Sequence, residues 1–475
     1  MSEPNVTVLL PPVLAIILAI VSRQVYLSLA AGIWLGYILL AGGAPLSGLA
    51  DAIEGVIAVF QSPGDTRVIV FTLVIGGLIA TLEAGGGVRG FVQWLETRRW
   101  VNNAKRSQWL AWCTGLVIFI ESNITVLVAG TVSRPLFDRY KISREKLAYL
   151  IDSTSAPICI LIPLNAWGAF NLGLLDSLGV ESALGVFLWA IPLNFYAISA
   201  VLLSMLVVIF DWNIGPMKDA EVRAHKGSVL SKGATPLMDE DLLNRAPLAA
   251  IHPAAINMTL PIAVMVCSMP LGLWITGEGN LLQGSGSTSV LWSVLMAVAS
   301  AWMLQLGQRQ MSVAQLTHVF LKGAGGIVPL ALILLLALAL GDVAQALKTG
   351  QYVAGLLGDH LSVAALLPLL FLVSAAIAFS VGSSWGTFAI MLPIAVPVGQ
   401  ALELPLAPFV AVVLSGGIFG DHASPISDTT VVSSMAAATD HIDHVRTQLP
   451  YALIAGSVSL LGFCLMGTLL ANRLN

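Results

Sequence analysis

The sequence predicts an all-α polytopic membrane protein of about ten spans plus two re-entrant hairpins, in two inverted-topology repeats with broken helices. Three observations carry this. Of 475 residues, 57% are hydrophobic and 10% are charged, too apolar for soluble domains and too long for a simple anchor. Lys and Arg gather in a few loops, and cationic loops stay cytoplasmic, which orients the spans. Acids stand beside prolines and hydroxyl side chains within two apolar runs, where an ionisable group is costly and therefore points to function.

The N-terminal MSEPNVTV lacks the basic region and cleavage site of a removable signal, so the first apolar run is expected to remain as a span. Spans over 8–22 and 25–42 turn at Arg23, and 43–66, with Asp51, Glu54 and Asp65 but no Lys or Arg, reads as external. A third span, 67–86, leads to a basic loop containing Arg98, Arg99, Lys105 and Arg106. A second basic loop, with Arg139, Lys141, Arg144 and Lys146, follows the apolar run 109–130. One crossing cannot have both ends inside, so 107–132 is predicted to dip in and return as a re-entrant hairpin tipped by Glu121, Ser122 and Asn123. Residues 146–171 then cross as a helix broken at Pro157 and Pro163, and 183–210 returns.

This assigns 1–210 to the first repeat, 211–250 to a polar cytoplasmic linker without assigned chemistry, and 251–475 to the second repeat. In the second repeat, 361–402 is expected to form the other hairpin, with Gly382, Ser383 and Ser384 at its tip, and 409–440 the other broken helix. Both termini then lie outside a multi-pass protein of the cell inner (plasma) membrane.

The stretch 416–443, GGIFGDHASPISDTTVVSSMAAATDHID, is the most informative. Gly416, Gly417, Gly420 and Pro425 are expected to unwind the helix, freeing carbonyls that a cation or polar cavity can satisfy. Asp152, with Ser153 and Thr154, and Asp421, with Ser424, offer hard oxygens suited to Na⁺ or a proton. The alternative for each acid is a helix cap. Asp428 fits an N-cap as well as a site, and His422 either titrates near neutrality or serves as a fixed donor. Ser383, Ser384 and Thr387 offer hydroxyls at the second hairpin, where small residues also permit close packing. Glu121 is the one acid of the first hairpin. His441, Asp443 and His444 read as a solvated cytoplasmic turn, and the four cysteines as inert packing residues. A net charge of -4 gives no nucleic-acid signature.

The chain resembles the NhaC-type sodium/proton antiporters of the wider ion-transporter superfamily. The resemblance rests on FGDHASPISDTTVVSSMAAATDHIDHVRTQLPY at 419–451, SRPLFDRYKISREKLAYLIDSTSAP at 133–157 and SWGTFAIMLPIA at 384–395. It implies exchange without nucleotide hydrolysis or cofactor, with Na⁺ and H⁺ as the moving ions. It further implies a mobile transport domain beside a scaffold that often dimerises, so a homodimer is expected. Asp152, Ser153, Thr154, Asp421, Ser424 and Asp428 would lie in the transport core. Many members carry paired aspartates followed by tyrosine where this chain has Glu121-Ser122-Asn123, and an acid near Asn171. Since the family pattern also includes carriers of organic anions, two expectations follow: exchange of Na⁺ (or Li⁺) for H⁺ by alternating access, or proton- or sodium-coupled exchange of a small organic acid or amine. An intramembrane aspartyl protease is disfavoured, because GIFGD is not Gly-x-Gly-Asp.

Overall fold

The computed structural model describes residues 6–22, 24–97, 102–119, 122–163, 165–236, 252–280, 284–349, 351–352 and 362–474. Its first helices are α1 (Leu10–Ser22), α2 (Val25–Leu40), α3 (Pro45–Ala58), α4 (Pro63–Ala84) and α5 (Gly87–Thr97). Then come α6 (Ala104–Val117), α7 (Ser122–Arg139), α8 (Arg144–Ser153), α9 (Ala156–Leu161), α10 (Ala166–Ser177), α11 (Ala183–Ala190), α12 (Phe195–Phe210) and α13 (Pro216–His225). The remainder is α14 (Ile256–Thr276), α15 (Gly286–Gly307), α16 (Val313–Ala346), α17 (Val363–Val381), α18 (Ser384–Ala401), α19 (Leu406–Ala423), α20 (Asp428–Ala437) and α21 (His441–Leu474). Among the described residues the only β pairing is an isolated bridge between Pro236 and Asp440.

Helices start where a side chain can hold a free backbone N–H. Ser62, Asn103, Ser143, Asn165 and Asn194 each accept the N–H three residues on, at the heads of α4, α6, α8, α10 and α12. Proline occupies the first turn of α3, α4, α9 and α13, where its missing N–H costs nothing. Eight helical segments among the described residues are long and apolar enough to cross a membrane, or ten when each of two bent pairs counts as one span. Those pairs are α2 with α3, bent by 119°, and α11 with α12, bent by 44°. At 14 residues, α6 is too short for a hydrocarbon core of about 30 Å, and it packs back on α7.

Two main apolar clusters form. The larger runs through most helices, from Leu29 and Ile75 to Trp167, Phe388 and Phe409. The smaller joins Trp112 of α6, Phe137 of α7, Leu147 of α8, Val207 of α12, Met217 of α13 and Tyr451 of α21.

Two expectations need correction, the unwinding at the glycines and the solvated turn at 441–444. Gly416, Gly417 and Gly420 do not unwind their helix: α19 runs through them, and the break covers Ser424 to Ser427. Their lack of a side chain serves approach instead, since a Cβ on Gly420 would fall 2.2 Å from the Ala375 carbonyl of α17. The segment 43–66 is largely helical, and α3 leaves Leu46, Ile53 and Ile57 exposed along one side. The turn expected at 441–444 is already the first turn of α21, and His444 is fully buried.

Of the segment expected to be the linker, residues 237–250 lie outside the described set, and the first part is docked. Glu221 of α13 accepts the N–H and hydroxyl of Ser143 at 2.9 and 2.6 Å. Lys146, 0% exposed, has its ammonium 3.5 Å from Glu221 and pairs also with Asp211. Arg223 meets Glu145 at 2.7 Å. Further on, the Thr235 N–H and hydroxyl donate to Asp440 at 3.0 and 3.1 Å, and the Ser231 hydroxyl donates to Asp443. A buried lysine needs acids on hand, and Asp211 and Glu221 supply them.

Candidate ion and substrate site

Two helix breaks bring the polar groups together. At the second, α19 ends at Ala423 and α20 starts at Asp428. Asp421, in the last turn of α19 and 2% exposed, accepts the Ser384 hydroxyl on Oδ2 and the Ser427 hydroxyl on Oδ1, each at 2.5 Å. Ser427 in turn lies 2.9 Å from the Thr429 hydroxyl. Ser384 opens α18, straight after the tip of the α17–α18 hairpin. There Gly382 adopts φ +70°, and a Cβ would stand 2.5 Å from the Ile426 carbonyl. Glycine thus permits both the turn and its seating against the break.

At the first break, α8 ends at Ser153 and α9 starts at Ala156. Asp152 is fully buried. Its Oδ2 accepts from Gln448 Nε2 at 2.7 Å and from the Thr430 hydroxyl at 3.5 Å. His444 Nε2 and His422 Nε2 stand 3.4 and 3.8 Å from the same oxygen. His422 is set by Tyr196, whose hydroxyl is 2.7 Å from Nδ1, and by Ser153, 3.3 Å from Nε2. Because His422 follows Asp421 in the chain and faces Asp152, the two centres are contiguous.

The other expected site residues divide. Thr154 sits at the first break with its hydroxyl on the Leu150 carbonyl at 2.8 Å. Ser424 binds the Phe379 carbonyl at 2.7 Å, tying the second break to α17. Ser383 caps α18, accepting the Gly386 N–H at 3.4 Å, and Thr387 donates to the Ser383 carbonyl at 3.0 Å. Asp428 is exposed and is the first residue of α20, where an acid suits the helix N-terminus; its carboxylate accepts the Thr429 N–H at 2.9 Å, while the N-cap position belongs to Ser427. Ser122 is buried at the head of α7, and Asn123 Oδ1 is buried without a hydrogen-bond partner. Glu121 lies outside the described residues.

Sequence reasoning missed Tyr196, Ser427, Thr430, His444 and Gln448. The available signal was spacing: His444 and Gln448 are four apart and share a helix face, and they enter the long apolar run of α21. Asn165 was missed as well; its Nδ2 donates to the Phe119 and Cys159 carbonyls, both at 2.8 Å, joining the end of α6 to the first broken helix. Neither central carboxylate has a Lys or Arg partner among the described residues. Nor do those residues hold a group of three or more His, Cys, Asp or Glu side chains arranged for a metal ion.

Eight to ten apolar crossings among the described residues, around two buried carboxylates at helix breaks, define a multi-pass membrane transporter. The chain belongs to the Na⁺/H⁺ antiporter family, whose model matches residues 170–468, and it is a secondary antiporter rather than an enzyme. An uncharacterized protein of Haemophilus influenzae is 32% identical over 97% of this chain and 90% of its own length. Shorter stretches resemble the arginine/ornithine antiporter ArcD of Halobacterium salinarum, 36% identical over 23% of this chain and 22% of that protein. The malate-2H⁺/Na⁺-lactate antiporter of Bacillus subtilis is 32% identical over 22% of this chain and 24% of its own. In fold, the chain is similar to the YdaH transporter of Alcanivorax borkumensis, with a TM-score of 0.59, 14% identity, and coverage of 89% and 88% of the two chains.

Proposed function

We propose that the protein exchanges Na⁺, or Li⁺, for H⁺ by alternating access in the inner membrane, with Asp421 as the principal cation-binding carboxylate and Asp152 as its partner. One observation carries the reading: each oxygen of Asp421 has a hydroxyl at 2.5 Å, from Ser384 in the second hairpin and Ser427 in the break, with no Lys or Arg among the described residues paired to it. A buried carboxylate ringed by neutral oxygens holds a monovalent cation or a proton, never both. Competition for that carboxylate couples the two fluxes.

The test is ΔpH dissipation in proteoliposomes with an internal pH dye and stepwise Na⁺, Li⁺ and K⁺. A saturable response to Na⁺ or Li⁺ is expected, and Asp421→Asn should abolish it in protein that remains inserted. Normal exchange by that variant would remove Asp421 from the mechanism.

The second reading is exchange of a small organic solute. It is favoured by the relatives named for arginine/ornithine and malate/lactate exchange, and by the absence of paired acids at 121–123. Two carboxylates without a nearby Lys or Arg suit an amine better than an organic acid. A wild-type protein silent to all three cations but responsive to an amine would select it.

A further inference from the structure

Gln448 is 1% exposed and holds both broken helices at once. Its amide nitrogen donates at 2.7 Å to Asp152 Oδ2 at the first break and at 2.7 Å to the main-chain carbonyl of His422 at the second. That carbonyl belongs to the last turn of α19, where no intrahelical N–H is left for it. Both hydrogens of one amide are therefore used, one on each helix.

The consequence falls on Asp152, whose two oxygens are unlike. Oδ2 is surrounded by Gln448, Thr430, His444 and His422. Oδ1 is buried with no hydrogen-bond partner, and so is Gln448 Oε1. An ionised oxygen left bare in the interior is costly, and only a proton, a cation or a donor group relieves it. We propose that Gln448 is a positioning residue of the exchange: it clamps Asp152 Oδ2 against the second broken helix and so presents Oδ1 as the atom that is loaded and unloaded. The ligand class is a proton or a monovalent cation, which rests on the antiport reading above. The amide does not itself bind the load; it fixes which carboxylate oxygen meets it.

The test compares Gln448→Leu and Gln448→Glu with wild type in the proteoliposome assay, with KM and Vmax measured separately. Leucine removes the clamp, and glutamate keeps the length of the side chain while replacing its donor with an acceptor. Hydrogen bonds to charged groups are strong enough that KM for the moved cation should rise roughly tenfold to a hundredfold in both, with a much smaller change in Vmax. A filler of space would behave differently, since glutamate fills nearly the same space. Wild-type KM in Gln448→Glu overturns the proposal, as does a fall in Vmax alone in both variants.

A second measurement is independent of cargo. Thermal unfolding of purified Gln448→Leu, Asp152→Ala and the double variant should show coupled losses, because either single change breaks the same hydrogen bond. Strictly additive losses overturn the clamp. If wild type moves none of the cations, the cargo reading falls while this cycle still decides the role of Gln448.

Discussion

The two helix breaks place an aspartate at the same point of the chain path and then surround it with opposite chemistry. Asp421 has both oxygens engaged, each by a serine hydroxyl. Asp152 has one oxygen crowded by an amide, a threonine and two imidazoles, and the other bare. A hydroxyl can turn its hydrogen away and offer a lone pair to an arriving cation. The amide nitrogen of Gln448 cannot, because it has only hydrogens to give. The difference teaches that the backbone device is shared while the duties are divided: the Asp421 centre is dressed to exchange a cation for a proton between two hydroxyl-lined oxygens, and the Asp152 centre to load and unload at its one bare oxygen while the other is clamped.

The largest effect should come from removing either acid. Asp421→Asn and Asp152→Asn are each expected to lower exchange by at least about a hundredfold, the scale of losing one member of a buried charged network. Binding of labelled Na⁺ to the purified variants separates them: Asp421→Asn should lose it, whereas Asp152→Asn should weaken it roughly tenfold to a hundredfold, no less than the loss of the Gln448 clamp does. Identical binding by both variants would break the comparison.

A middle-sized effect belongs to the hydroxyls. Ser384→Ala and Ser427→Ala should each raise KM for the cation about tenfold, in keeping with the loss of one hydrogen bond to a charged group. Thr430→Val, which touches the crowded oxygen of Asp152 at 3.5 Å, should leave that KM nearly unchanged. Equal shifts from all three substitutions would show that the two centres share one load.

How far the sequence foretold this depends on whether the signal was local. The helical class, the apolar spans and both breaks are legible because proline, serine and acid cluster within a few residues at 152–157 and 421–428. Asp152, Asp421 and His422 were legible for the same reason, and Ser384 from the small residues at the second hairpin tip. Gln448, His444 and Tyr196 were not, because polar residues at the end of a basic loop, or a lone tyrosine in an apolar run, look the same whether they face water or another helix. The glycines before Asp421 misled in the other direction. Glycine signals either unwinding or close approach, and only the position of α17 decides that Gly420 serves approach. The contacts of the linker were hidden for a related reason, since its Glu221 pairs with Lys146 and Ser143, more than seventy residues away along the chain.

The docked linker supplies the smallest expected change in transport. Lys146 stands in the first turn of α8, whose last turn carries Asp152. Its ammonium has Glu221 and Asp211 as partners, and Asp211 is 63% exposed. Glu221→Gln removes the buried acid yet leaves an amide oxygen for Ser143 and the exposed acid for Lys146. The loss in stability should therefore be about 1–2 kcal/mol, less than for a buried charge stripped of every partner, and visible as a lowered Tm. If the breaks themselves set the site, KM for the cation in this variant should stay within about twofold of wild type, since the hydrogen bonds around Asp152 and Asp421 are untouched. A tenfold change in KM would instead mean that α8 transmits the state of the linker to Asp152. The two centres would then differ in one more respect, because only the Asp152 helix is anchored at its start by a buried lysine.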